Sequence, residues 1–199
     1  FHEAAASLAD VVDAHNEAHL LGYSLGGRVA LAAATSGARP RSLSLLSSSA
    51  GLRGAPAREL RQQWDARWAE RLRIESGEIV HTDWLAQPLF ASMSTTQKTA
   101  AVRQRVQQPP APLADAMQQL GQGQMPSLWS ALPHVQTPAL LLSGGLDDKY
   151  VKLHREMAAV LPHAYRVVLA ELGHALHVED PGAVAAALMP HLLSAMEPS

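Results

Sequence analysis

Apolar and polar positions along the first quarter of the chain alternate between the period of a helix and the short runs of buried strands. Residues 4–16 carry apolar side chains three or four positions apart, which predicts an amphipathic helix. Residues 18–23 form a short apolar run that predicts a strand, and the Ala-rich residues 28–36 predict a second helix. Residues 42–48 then predict a second strand. A strand, a tight turn, a helix and another strand are typical of a parallel sheet.

The pattern changes between residues 51 and 132, where no strand pattern occurs and Arg and Gln are frequent. Residues 59–74 predict the clearest helix of this region. The turn-rich residues 107–112 and 121–126 divide the remainder into short helices. All four tryptophans of the chain fall in this region: Trp64, Trp68, Trp84 and Trp129.

Strand and helix patterns alternate again after this region. Residues 138–143 and 165–169 predict strands, whereas residues 151–161 and 181–196 predict helices. We therefore expect an α/β fold with a mostly parallel sheet.

The interruption of this alternation predicts how the chain is divided. Residues 1–50 and 133–199 are expected to form the α/β core, and residues 51–132 a helical cap inserted into it.

Composition narrows the classes of partner and chemistry. The formal net charge is -2, with 16 Lys+Arg against 18 Asp+Glu, which favours a small-molecule partner over nucleic acid or a membrane surface. The absence of Cys excludes disulfides and thiol nucleophiles within these 199 residues. With no apolar run near the length of a membrane span and no signal-peptide pattern, we expect a cytoplasmic protein whose oligomeric state the sequence leaves open.

A possible nucleophile lies where the strand of residues 18–23 meets the following helix. The sequence Gly-Tyr-Ser-Leu-Gly, residues 22–26, matches the turn that presents a serine at the top of a parallel sheet. Glycines are expected there because side chains at the flanking positions would collide with neighbouring elements. The alternative is a Gly-rich turn with an ordinary serine at position 24.

Such a serine needs a histidine and a carboxylate, which follow it in the order Asp, then His, in this type of fold. Asp147 and His174 each follow a predicted strand, where ligands bind in open α/β sheets. Asp147 has the alternative role of a turn or helix-cap residue, and His174 that of a metal ligand with His177 and Glu179. The other histidines are interpreted as surface or hydrogen-bonded core residues.

Five segments of this sequence together resemble the 2-succinyl-6-hydroxy-2,4-cyclohexadiene-1-carboxylate synthases of menaquinone biosynthesis, a family within the α/β-hydrolase superfamily. The resemblance runs over nearly the whole chain, and Arg28, directly after the glycine pair, is its most specific feature when combined with the cap motifs. The segments are residues 22–28, 87–92, 126–129, 147–150 and 173–179.

The resemblance implies an α/β-hydrolase fold and a lyase that removes a proton and eliminates pyruvate, with no metal or organic cofactor. Ser24 would act as the base, assisted by His174 and Asp147, although the sequence does not separate a base from a nucleophile. The alternatives are a hydrolase of the same superfamily, acting on an ester, thioester or C–C bond, and an inactive fragment or binding protein.

The resemblance also implies a substrate with several carboxylates, for which Arg28 is the first candidate ligand. The resemblance also points to Arg61 and Arg105 of the cap, although Arg58 or Arg103 could take their places. Arg61 could instead pair with an acidic residue of its own helix. The remaining implied substrate contacts are Tyr23, Leu25, Arg61, Trp84, Arg105 and Lys149.

Family members begin with further strands and a His-Gly loop that supplies an oxyanion-binding N–H group, and this sequence shows neither. We therefore expect the chain to be the larger part of a longer protein. Alone, it is expected to expose a sheet edge, to be poorly soluble and to be nearly inactive.

Overall fold

The four predicted strands form one parallel sheet in the computed structural model, which describes residues 1–15 and 17–196. Within these residues the strands lie in the order β1-β2-β3-β4, and each neighbouring pair is parallel. The predicted α/β fold with a parallel sheet is confirmed. The strands are His19–Tyr23 (β1), Ser42–Leu46 (β2), Ala139–Gly144 (β3) and Ala164–Leu169 (β4).

Helices join these strands and fill the region between β2 and β3. Two short 3₁₀ turns, Pro88–Phe90 and Leu132–His134, accompany them. The helices are His2–Asp13 (α1), Leu25–Thr35 (α2), Ala55–Ile74 (α3), Gly77–Leu85 (α4), Thr95–Arg105 (α5), Pro110–Leu120 (α6), Asp148–Ala158 (α7), Leu176–Glu179 (α8) and Pro181–Ser194 (α9).

The backbone forms two compact units. One is Leu52–Pro126, called the cap below, and it contains helices α3 to α6. The other, called the core below, combines His2–Gly51 with the chain from Ser127 onward and contains the sheet.

Burial along the strands distinguishes the middle of the sheet from its edges. Every residue of β2 and β3 is buried, because both strands have a neighbour on each side and helices over their faces. Leu46, Leu140 and Leu142 pack with residues of α8 and α9 in the main apolar cluster. On the edge strand β1, Leu21 is 51% exposed.

The cap has an apolar centre of its own. Helices α3 and α6 pack together, and Ala69, Leu72, Val80 and Ala114 are buried between cap helices. No helix in the described residues is long and apolar enough to cross a membrane.

Several element bounds differ from the expectations. Helix α2 begins at Leu25 instead of residue 28, because the serine turn leads directly into it. Helix α6 begins at Pro110, inside a stretch predicted as a turn, because proline is tolerated in the first turn of a helix. Leu176–Glu179, which lies between the strand predicted at residues 165–169 and the helix predicted at residues 181–196, is a short helix. The first predicted helix extends to Asn16, which lies outside the described residues.

Candidate active site

The turn between β1 and α2 holds Ser24 in a rare backbone conformation. Ser24 has φ 48° and ψ −106°, outside the regions that non-glycine residues normally occupy. Its N–H donates to the Leu46 carbonyl of β2 at 2.8 Å, and its own carbonyl accepts from the Arg28 N–H at 3.1 Å. Contacts on both sides of the residue therefore fix the strained turn.

Close backbone packing requires glycine at positions 22 and 27 of this turn. The Gly-Tyr-Ser-Leu-Gly motif has its glycines at positions 22 and 26, so only the first of them is required. A Cβ added at Gly22 would lie 2.5 Å from Gly27 Cα, and one at Gly27 would lie 2.6 Å from Ser48 Cβ. At Gly26, in contrast, an added Cβ would have no described atom within 4 Å apart from those of the local backbone of α2. The steric requirement expected for Gly26 is therefore wrong, and it belongs to Gly27.

Asp147 follows β3 and is the N-cap residue of α7. Its Oδ1 accepts a hydrogen bond from the Tyr150 N–H at 3.3 Å, so the cap role considered from the sequence is present. Its other oxygen, Oδ2, accepts from His174 Nδ1 at 2.7 Å. One carboxylate therefore caps a helix and orients an imidazole at the same time.

The loops after β3 and β4 pack backbone against backbone, which brings Asp147 and His174 together. The Gly145 N–H donates to Leu169 O at 2.8 Å, and the Leu146 N–H donates to Leu172 O at 2.9 Å. A Cβ on Gly144 would overlap the Leu172 carbonyl, and one on Gly145 would lie 2.5 Å from Ala170 O. The glycine pair before Asp147 is therefore needed for this close approach.

His174 joins the carboxylate to the serine. It is 1% exposed, and its Nε2 lies 3.2 Å from Ser24 Oγ. Because ionised Asp147 can only accept, Nδ1 carries a proton, and Nε2 of the neutral ring accepts the Ser24 hydroxyl proton. Ser24, His174 and Asp147 thus form a hydrogen-bonded series with the polarity required for activating a serine.

Aromatic rings enclose His174. The Tyr150 ring lies 4.7 Å from it and the Tyr23 ring 5.4 Å, measured between centroids. Tyr23 also contacts the ring of His177 at 4.2 Å. Burial is the main cause that lowers the pKa of His177, and the charge that His174 carries when it is protonated lowers it further.

Glu179, considered from the sequence as a metal ligand together with His174 and His177, has another contact in the structure. Glu179 Oε2 accepts the Gly173 N–H at 2.8 Å, so this carboxylate holds the loop that carries His174. Across residues 1–15 and 17–196, no three His, Asp or Glu side chains are grouped as ligands for a metal ion.

The predicted substrate contacts of the core lie on the elements that carry the serine and the aspartate. Arg28 is buried, at 8% exposure, on the first turn of α2, and Leu25 begins that helix. A buried guanidinium raises the local positive potential next to a helix N-terminus, which favours an anionic group. Lys149 is exposed on the first turn of α7, with Nζ 5.4 Å from the centre of the Tyr150 ring.

Arg61 of the cap is engaged by residues of its own unit. Its Nε donates to Asp65 Oδ1 at 2.8 Å, and its Nη1 donates to Gln122 Oε1 at 3.1 Å. Its guanidinium also lies 4.4 Å from the centre of the Trp64 ring. The pairing with an acidic residue on the same helix is therefore present, and a contact of Arg61 with substrate stays a prediction.

Trp84 and Arg105 line the same cavity inside the cap, of about 210 Å³. Trp84 packs edge-on against Trp68 at 5.0 Å between ring centroids. His81 also lines the cavity, and its pKa is lowered first by burial and then by the charge of Arg105.

Sequence reasoning missed two residues behind the serine. Ser48 Oγ donates to the Ser24 carbonyl at 3.0 Å. His154, interpreted from the sequence as a surface or core residue, is 1% exposed and places Nε2 3.0 Å from the Ser48 carbonyl. The serine run at residues 47–49 was the only signal, and it carries no information about a partner on α7.

The sequence of this chain is similar to those of known proteins. Residues 1–187 match the model of an alpha/beta hydrolase family. The 2-succinyl-6-hydroxy-2,4-cyclohexadiene-1-carboxylate synthase of Enterobacter sp. (strain 638) is 37% identical over 193 residues, which cover 94% of this chain and 72% of that protein. The synthase of the same name from Serratia proteamaculans is 35% identical over 178 residues, covering 88% and 68% respectively.

Solved structures show the same fold. MenH from S. aureus superposes with a TM-score of 0.91 at 31% identity, covering 97% of this chain and 75% of that one. A thermophilic esterase from Thermogutta terrifontis superposes with a TM-score of 0.75 at 25% identity, covering 96% of this chain and 70% of that one.

Proposed function

We propose that this chain, which belongs to the alpha/beta hydrolase family and within it to the 2-succinyl-6-hydroxy-2,4-cyclohexadiene-1-carboxylate synthases, carries the reacting groups of a lyase. The reaction is elimination of pyruvate from 2-succinyl-5-enolpyruvyl-6-hydroxy-3-cyclohexene-1-carboxylate, a step of menaquinone biosynthesis. The product is the cyclohexadiene named in the relatives. The observation that carries the proposal is the series Ser24, His174 and Asp147 within this family's sequence.

Ser24 acts as the base in this mechanism. Its Oγ removes a ring proton from the substrate while its own proton passes to His174 Nε2, 3.2 Å away. The electron pair of the broken C–H bond, at the ring carbon that bears the succinyl group, forms a double bond between ring carbons 2 and 3. The existing ring double bond shifts from carbons 3 and 4 to carbons 4 and 5, and the C–O bond between carbon 5 and the enolpyruvyl group breaks. The leaving group departs as the enolate of pyruvate and takes back a proton, so no water is consumed.

Asp147 makes this proton transfer favourable. Its carboxylate, 2.7 Å from Nδ1, fixes the tautomer that leaves Nε2 able to accept a proton. The same negative charge stabilises the imidazolium that forms after the transfer. Because both groups are buried, solvent screens this interaction little.

Arg28 binds a carboxylate of the substrate next to the reacting centre. Its position one helical turn after Ser24 and the dipole of α2 both favour an anion there. A simple esterase has no need of this cation. Tyr23, Leu25 and Lys149 supply further contacts from the core.

The cap supplies the remaining contacts in this proposal. Arg105 and Trp84 share a cavity that combines a cation with apolar walls, the pairing that suits a carboxylate on a carbon ring. Arg61 contributes a second cation, although its contacts with Asp65 and Gln122 must rearrange or be shared for this role.

The test is pyruvate release from the enolpyruvyl substrate by the full-length gene product that contains this chain. Ser24→Ala and Arg28→Ala are compared with Arg39→Ala, whose exposed arginine lies beyond the other end of α2. Release that requires Ser24 and Arg28, but is unchanged in Arg39→Ala, is expected. Absence of pyruvate release, with cleavage of aryl esters that needs Ser24 but not Arg28, would assign a hydrolase instead.

A further inference from the structure

The strained turn at Ser24 is held from behind by a side chain that belongs to neither the serine turn nor the loops of Asp147 and His174. Ser48 follows β2, and its Oγ donates to the Ser24 carbonyl at 3.0 Å. Its Cβ also occupies the space left by Gly27, where an added Cβ would lie 2.6 Å away. A shift of Ser48 would therefore move Ser24 directly.

Ser48 is fixed in turn by His154 of α7. Nε2 of His154 lies 3.0 Å from the Ser48 carbonyl and 3.4 Å from the Ser48 nitrogen. Burial is the main cause that lowers the pKa of His154 to about 4, so the ring is neutral near pH 7. The shorter contact identifies Nε2–H as the donor to the carbonyl.

Burying the imidazole of His154 costs free energy, so its contact with the Ser48 carbonyl is kept in spite of that cost. Its Nδ1 is buried and has no hydrogen-bond partner within residues 1–15 and 17–196. A leucine at this position would fill similar space without leaving a ring nitrogen unpaired. The imidazole is therefore explained by what Nε2 does at Ser48.

Helix α7 carries both ends of this arrangement. Asp147 caps its N-terminus and orients His174, whereas His154 lies about two turns further along and fixes Ser48. Helix α7 thus sets the distance between Ser24 and the His174 ring from both sides, through Asp147 on one side and His154 on the other.

We infer that His154 and Ser48 are positioning residues that couple helix α7 to the Ser24 backbone and so hold Ser24 Oγ in register with His174. The inference rests on the proposed function only in taking Ser24 as the reactive group. Neither residue touches substrate in this arrangement. Their removal therefore lowers the reactivity of Ser24 without changing what binds to the enzyme.

The first readout avoids the enolpyruvyl substrate. A fluorophosphonate probe reacts when Ser24 Oγ bonds to phosphorus, fluoride leaves and the hydroxyl proton passes to His174. Loss of one hydrogen bond that positions the serine is expected to slow labelling by about tenfold in Ser48→Ala. Ser44→Ala is the matched control, because Ser44 is a buried serine of β2 whose hydroxyl has no partner in the described part of the chain.

Variants of His154 separate positioning from general stability. His154→Leu is expected to slow labelling like Ser48→Ala, whereas His154→Gln can place an N–H group near the same carbonyl and restores the rate. In the Ser48→Ala background, His154→Leu should slow labelling less than it does in the wild type, because the hydroxyl through which it acts on Ser24 is absent. Thermal midpoints are measured for every variant, and Ser44→Ala defines the labelling change that a core serine substitution causes by itself.

Pyruvate release then distinguishes this inference from the proposed function. In the full-length protein, kcat is expected to fall about tenfold in Ser48→Ala with KM unchanged. Slower labelling of Ser48→Ala in a protein that releases no pyruvate would support the positioning role and reject the lyase. Labelling at the wild-type rate in Ser48→Ala, or independent effects of Ser48 and His154, would overturn the inference.

Discussion

Adding one methyl group at Gly27 should destabilise the protein, whereas the same change at Gly26 should not. At Gly27 the new Cβ would lie 2.6 Å from Ser48 Cβ and 2.7 Å from the Gly22 carbonyl, whereas ordinary contact begins at 3.4 Å. The turn must therefore open by about 0.8 Å, the difference between 3.4 Å and 2.6 Å, on its tightest side. Overpacking of this kind costs about 1–3 kcal/mol, and loss of the bond from Ser48 to Ser24 adds about 1 kcal/mol.

Gly27→Ala is therefore expected to lower the free energy of unfolding by roughly 2–4 kcal/mol. Gly26→Ala is the matched control, because its added Cβ has no described atom within 4 Å beyond the local backbone of α2, and alanine is the better helix former. It should leave stability unchanged or raise it by up to about 1 kcal/mol.

Urea unfolding followed by circular dichroism measures both variants under one protocol, and pyruvate release reports whether the turn still presents Ser24. Gly27→Ala is expected to lose most of its activity at temperatures where it is still folded. A Gly27→Ala protein within about 0.5 kcal/mol of the wild type would refute the packing argument. A Gly26→Ala protein as unstable as Gly27→Ala would refute it as well.

Three further predictions test the series of hydrogen bonds, the buried histidine and the cap. Asp147→Asn should lower kcat by about 10³–10⁴-fold, because the amide can stabilise the wrong tautomer of His174, and a decrease below tenfold in steady-state assays would contradict this role. The free energy of unfolding should fall as pH drops from 6.5 to about 4, because His154 is neutral in the folded protein and takes up a proton more readily in the unfolded chain. The difference between the two pKa values of His154 corresponds to roughly 3 kcal/mol. His154→Gln should flatten that part of the pH–stability curve, and an unchanged slope would show that other groups cause it. Arg61→Ala should destabilise the cap by about 1–3 kcal/mol, because it removes a hydrogen-bonded ion-pair partner from the buried Asp65 carboxylate; an unchanged unfolding midpoint with a raised KM would instead assign Arg61 to the substrate.

The sequence predicted those features that depend on period and chain order. The strands at β1 to β4 follow from short apolar runs, and Ser24, Asp147 and His174 from their places after three of those strands. The family followed from the motifs around these residues together with Arg28 and the cap motifs, and the comparisons confirm it.

Features that depend on packing between distant segments could not be predicted in this way. The motif pointed to Gly26, whereas the close contacts with Ser48 and the Gly22 carbonyl fall on Gly27, and nothing in the sequence shows this difference. His154 occupies an ordinary helical position, and its contact with Ser48 joins residues 106 positions apart. Helix α6 was partly missed because prolines that suit a first helical turn also suit a turn.

The most direct test of the proposed chemistry is an isotope measurement on the full-length protein. Substrate carrying deuterium at the ring position that loses its proton is compared with unlabelled substrate for the initial rate of pyruvate release. Slower release from the deuterated substrate, abolished altogether by Ser24→Ala, is expected if Ser24 removes that proton in the step that limits elimination. Equal rates from the two substrates, together with a covalent adduct on Ser24 in the intact mass, would contradict the account and show that Ser24 acts as a nucleophile.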